Sequence, residues 1–176
     1  LLKLSRLIDA LTMLIGKSTM WLILATTLIS AGNAIVRKLF GSSSNAWLEV
    51  QWYLFGALFL LTGGYTFLRN EHVRVDLIYG KLKGNRPVYV DLFGLIFFLM
   101  PAMTLFCYLS WPLFVQMLWS GEGSPNAGGL IRWPAMMMLP LGFALMVLQG
   151  LAEMIKRVAW LNNAYEMNMQ YERPLQ

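Results

Sequence analysis

The chain has 176 residues, 57% of them hydrophobic and 13% charged, with a formal charge of +5 and a single cysteine, Cys107. That balance lies outside the soluble globular range, and one cysteine excludes an internal disulfide or a CxxC redox pair. An excess of basic residues in a soluble protein would point to nucleic acid, but here they sit at the ends of apolar runs and report membrane orientation.

Residues 1–17 place Leu4, Leu7, Ile8, Leu11 and Leu14 at the three- and four-residue spacing of one helix face, with Lys3, Arg6 and Asp9 elsewhere. Two forms are open for this segment: a helix lying in the interface, or an extension of the first span. The basic start resembles that of a signal peptide, but the apolar run after it is too long for a signal core and has no small-residue cleavage pattern. It reads as an uncleaved first helix.

Four apolar runs follow, at residues 18–36, 47–68, 88–118 and 133–155. Each has about the ~20 residues needed to cross a ~30 Å hydrocarbon core, and a backbone without water must satisfy its own polar groups, so each is expected to be a helix. The predicted fold is a single all-α membrane domain of four transmembrane helices.

Between the first two runs, Gly41 to Asn45 form a turn-rich linker. The second connector, residues 69–87, carries five basic residues with Val73, Val75, Leu77, Ile78 and Leu82. It predicts a short amphipathic surface helix over 74–83, weakened by Gly80 and Gly84 and closed by Arg86-Pro87. The third run exceeds the bilayer thickness, which calls for a steep tilt, a projection beyond the membrane, or a kink at Pro101 or Pro112. The loop over 120–132 is rich in Gly, Ser, Pro and Asn and is expected to be irregular.

With the N-terminus inside, eleven of the fourteen Lys and Arg residues fall on the cytoplasmic side. Only Arg37, Lys38 and Arg132 fall opposite, so both termini are expected in the cytoplasm. Trp47, Trp52, Trp111, Trp119 and Trp133 gather towards the other interface, as an aromatic belt does.

Side chains for catalysis or electron transfer are scarce. The only histidine, His72, lies in a loop, whereas bis-imidazole haem ligation needs two. No metal-ligand cluster, serine elbow or phosphate loop occurs, so no enzyme activity and no cofactor are expected. Glu49, Asp91 and Glu153 lie near interfaces, and Asp91 and Glu153 share a depth with Lys156 and Arg157, where ion pairing is the simple expectation. Thr26, Thr27, Ser30, Asn33, Thr62 and Thr104 read as glue between helices, and Met136-Met137-Met138 as adaptable packing.

The stretch Glu49-Val-Gln51-Trp52-Tyr-Leu-Phe-Gly-Ala, then Gly63-Gly64-Tyr65, then Arg69-Asn-Glu71-His72-Val-Arg74-Val-Asp76 resembles the small, DctQ-type membrane subunit of tripartite ATP-independent periplasmic (TRAP) transporters. The His72 to Asp76 corner is the specific part. The resemblance implies a scaffold in the bacterial inner membrane that anchors a large elevator-type membrane subunit. That subunit would hold the coupling Na⁺ and take an organic acid from a periplasmic binding protein. It makes Arg69, Glu71, His72, Arg74, Asp76, Glu49, Gln51 and Trp52 structural or partner-contact candidates, with lipid as a further partner. The alternative, a self-sufficient carrier of the small multidrug type, would need a carboxylate within the first span, which has none. A third reading is a lone assembly factor without a transport role.

Overall fold

The computed structural model describes residues 1–42, 44–70, 82 and 84–166, and among these it is a bundle of four helices. Helix α1 is Leu2–Phe40, α2 is Asn45–Leu68, α3 is Arg86–Ser120 and α4 is Trp133–Leu161. The expected surface helix over 74–83, apart from Leu82, lies outside the described residues.

Three of the four, α1, α3 and α4, are long and apolar enough to cross a membrane. Helix α2 falls outside that group because Glu49, Gln51 and the glycines and hydroxyls of its 24 residues dilute its apolar content. It packs against both α1 and α4.

Residues 1–17 are not a separate element. Helix α1 runs unbroken for 39 residues, or ~58 Å at ~1.5 Å per residue. Of the two forms open for this segment, the structure adopts the extension. Gly41 ends the helix in the left-handed conformation (φ 63°), and its N–H donates to the Arg37 carbonyl at 3.1 Å. Gly121 ends α3 the same way, donating to Met117 at 3.2 Å. Glycine adopts this backbone without the steric penalty other residues carry.

Helix α3 contains a π-helical turn at Leu95–Leu99, just ahead of Pro101. Proline has no N–H for the carbonyl four residues back, and its ring crowds that carbonyl. One wider turn, in which Met100 N–H bonds to Leu95 O, relieves the crowding and keeps the helix continuous. The irregularity expected at Pro101 thus sits in the turn before it.

Helix α4 is the hub: α1 and α2 pack on it together, and α3 packs along it separately. Close approaches set the topology. Gly16 of α1 faces the Tyr65 ring of α2, Gly142 of α4 faces Leu60, and Gly150 faces Leu99 and Met100 of α3. The order is up-down-up-down, so the N-terminus and the end of α4 share one end of the bundle. The buried residues are mostly small or polar, Ser5, Thr12, Thr19, Ala57, Ala152 and Gln149 among them, beside the larger apolar Ile8, Val88, Leu95 and Leu145, while many large apolar side chains face outward. A water-soluble fold is arranged the other way; in lipid, association comes from close packing and hydrogen bonds, not from burying leucine.

Candidate functional site

Polar side chains concentrate at the two ends of the bundle. No Asp, Glu, Lys, Arg or His occurs within residues 18–36, 50–68, 92–119 or 133–152.

At the terminal end, Gln149, Glu153, Lys156 and Arg157 follow one another at helical spacing on the face that α4 buries. Asp9 and Thr12, three residues apart, extend the buried stripe of α1 towards them. Thr12 Oγ1 donates to Gln149 Oε1 at 2.8 Å, and the Gln149 amide donates to Asp9 Oδ1 at 3.0 Å and Glu153 Oε1 at 3.2 Å. Lys156 Nζ donates to both Asp9 oxygens, at 3.1 and 3.2 Å, and to Glu153. Arg157 Nε and Nη2 converge on Asp91 Oδ2 of α3 at 3.0 and 2.9 Å, while Nη1 donates to the Glu153 carboxylate. Gln149 is fully buried, and Glu153, Lys156 and Arg157 are 7%, 6% and 6% exposed.

The network therefore ties α1, α3 and α4 through a single face of α4. Burying a charge is costly unless it is paired, and here each charged group meets an opposite one within hydrogen-bonding distance. The pairing expected for Asp91 and Glu153 is realised. Asp9, Thr12 and Gln149 were not singled out by sequence reasoning, although the one-face spacing of Gln149, Glu153 and Lys156 was visible there.

At the opposite end, Glu49 in the second turn of α2 is 3% exposed and holds the loop between α3 and α4. Its Oε1 accepts from Ser124 Oγ and from Asn126 Nδ2 at 2.8 Å, and its Oε2 accepts from the Leu130 N–H at 2.7 Å. The loop folds back on itself through Ser124 N–H to Leu130 O at 2.8 Å and Arg132 N–H to Glu122 O at 3.0 Å. The Arg132–Glu122 ion pair at 2.6 Å closes its base. Asn45 Nδ2 adds a bond to Ala127 O at 3.0 Å. The segment expected to be irregular is thus a narrow loop, with a single bridge from Gly123 to Ile131, built around one carboxylate.

Among the other sequence candidates, Gln51 has a buried amide nitrogen with no hydrogen-bond partner among the described residues, and Trp52 is largely exposed. Arg69 follows the last turn of α2, its N–H donating to Tyr65 O at 2.9 Å. Glu71, His72, Arg74 and Asp76 lie outside the described residues. The hydroxyls read as glue mostly serve their own helices: Thr26 donates to Leu22 O, Thr27 to Ile23 O and Thr62 to Leu58 O. Contact between helices is carried instead by glycines, the Thr12–Gln149 bond and the ion network on α4.

Over residues 8–159 the chain matches the family described as tripartite ATP-independent periplasmic transporters, DctQ component. It belongs to that family. No curated protein sequence matches the chain significantly. The DctQ match opens one residue before Asp9 and closes two after Arg157, so it encloses the ion network, the Glu49 loop and all the close helix contacts. As a DctQ component the chain is a membrane protein of a bacterial TRAP transporter, and its family is one of transporter components, not of enzymes.

Proposed function

We propose that the chain is the static membrane scaffold of its transporter, spanning the bilayer four times with both termini cytoplasmic. It anchors a large elevator-type subunit that takes up an organic acid with Na⁺ from a periplasmic binding protein. The observation that carries this reading is the absence of any charged side chain from the four apolar stretches of the helices. Moving a carboxylate or Na⁺ through hydrocarbon requires groups that replace its water. Asp9, Asp91, Glu153, Lys156 and Arg157, at the terminal end, are engaged with one another. Glu49, at the other end, is taken up by its own loop.

In the same reading Trp52 and the corner from Arg69 through Glu71, His72, Arg74 and Asp76 contact the large subunit or lipid headgroups. The eleven-to-three distribution of basic residues supports the orientation.

Reconstitution into liposomes under a Na⁺ gradient tests the proposal. The chain alone should accumulate no organic acid, and uptake should appear on adding its large subunit and the loaded binding protein. Na⁺-dependent accumulation by the chain alone would overturn the scaffold reading.

A further inference from the structure

Helix α3 rests on α4 along its length, but the face it presents changes at the Leu95–Leu99 π-turn. Before the turn that face is Val88, Asp91 and Leu95. Val88 and Leu95 are buried, and Asp91 bonds Arg157. After the turn it is Met100, Met103, Cys107, Ser110 and Phe114. Met100 meets Gly150, Cys107 Sγ lies 3.6 Å from Pro140 O, and Ser110 is buried. Met103 and Phe114 are half-buried.

Within each half the steps are three or four residues, as one helix face requires. Between the halves, from Leu95 to Met100, the step is five. An unbroken α-helix, turning about 100° per residue, would carry the Leu95 face on through Leu99, Ala102, Phe106, Leu109 and Leu113. Phe106, Leu109 and Leu113 are exposed instead: Leu109 is 52% exposed, whereas its neighbour Ser110 is 5%. The second half is therefore turned by one residue relative to the first. The slow drift of two coiling helices, about 20° per heptad, is too small to produce this.

We propose that the π-turn is a one-residue insertion that sets the register of α3. It lets Asp91 hold Arg157 at one end while Cys107 and Ser110 seat on α4 further along, which an unbroken α-helix of this sequence cannot do. The turn has the required form. Met100 N–H bonds Leu95 O, five residues back, so a single turn holds one residue more than an α-turn. Ile96, Phe97 and Phe98 are all exposed, so the added residue is accommodated on the side away from α4. Pro101 makes this the easy place for the wider turn, and the contacts on either side are what require it.

Deletion and insertion have opposite expected effects. Removing Phe97 from a Pro101→Ala protein leaves a regular helix with both faces still on α4. The detergent-solubilised full chain should then unfold within about 2 °C of Pro101→Ala alone. Inserting one alanine after Phe97 in the same background turns the second half by a further ~100° and should lower the midpoint by at least about 6 °C. If the turn served only to relieve Pro101, Pro101→Ala would restore a plain α-helix, and the deletion would throw the second half off α4.

A second measurement needs no deletion. Nitroxides placed singly at residues 105–113 of the Pro101→Ala protein in bilayers, with Cys107 replaced by serine except when it carries the label, report oxygen contact, which is high where a side chain faces lipid. The minima should remain at 107 and 110. Minima moved to 106, 109 and 113, or a deletion variant that unfolds as early as the insertion variant, would overturn the proposal.

Discussion

Arg157 sits between two carboxylates from different helices: its Nη2 lies 2.9 Å from Asp91 Oδ2 on α3, while its Nη1 bonds Glu153 one turn back on α4. The planar guanidinium spans both acceptors at once, which a lysine ammonium on a flexible stem does not reproduce. This junction fastens the end of α4 to the start of α3, at the mouth of the connector that leads out of α2.

Arg157→Met should leave Glu153 and Asp91 without their shared cation. Loss of one member of a buried pair costs about 3–5 kcal/mol. Thermal unfolding of the detergent-solubilised chain should start at markedly lower temperature, and Arg157→Lys should recover only part of the loss. An unchanged transition in Arg157→Met would show the junction to be dispensable.

The glycine contacts are steric requirements. A Cβ at Gly142 would lie 2.8 Å from both the carbonyl oxygen and the Cβ of Leu60, and one at Gly16 would lie 2.4 Å from the Tyr65 ring. Gly142→Ala should therefore destabilise the bundle by about 1–3 kcal/mol through overpacking. Gly56→Ala, where nothing lies within 4 Å, is the control and should unfold no earlier than the parent. Differential scanning fluorimetry of the three proteins side by side decides the point.

Glu49→Ala should release the loop between α3 and α4 without unfolding the helices. Hydrogen bonds to a charged acceptor contribute about 1.5–3 kcal/mol each. The Leu130 amide, which donates to Glu49, should then exchange its hydrogen at least about tenfold faster. Exchange along α4 should stay close to the parent rate. Equal protection of Leu130 in both proteins would mean that the backbone bonds of the loop suffice.

Sidedness can be read with an impermeant thiol reagent on intact cells carrying Cys107→Ser. Pro125 and Asn85 are both exposed, at opposite ends of the bundle. A cysteine at Pro125 should react and one at Asn85 should not. The reverse pattern would invert the proposed orientation.

The membrane nature of the chain, its helices and the pairing of Asp91 and Glu153 with cations were legible in the sequence. Hydropathy and charge act over a whole window, so a linear string carries them in full. The continuity of α1 through residues 1–17 was not legible in the same way, because an interfacial helix and an extended span share one apolar periodicity.

The partners of Asp9 and Gln149 were decided only when α1 and α4 came together antiparallel, bringing residues 140 positions apart to 3.0 Å. Likewise, Glu49 reads as an interfacial carboxylate until the loop 75 to 81 residues later folds over it. The hydroxyls show the converse: helical geometry alone satisfies Thr26, Thr27 and Thr62 within their own turns, which leaves glycine to set how closely the helices approach. Composition determined that this chain would be helices in lipid. Which polar atoms those helices brought within reach of one another was decided by their packing, because a hydrogen bond depends on distances of a few ångströms that the order of residues along a chain does not specify.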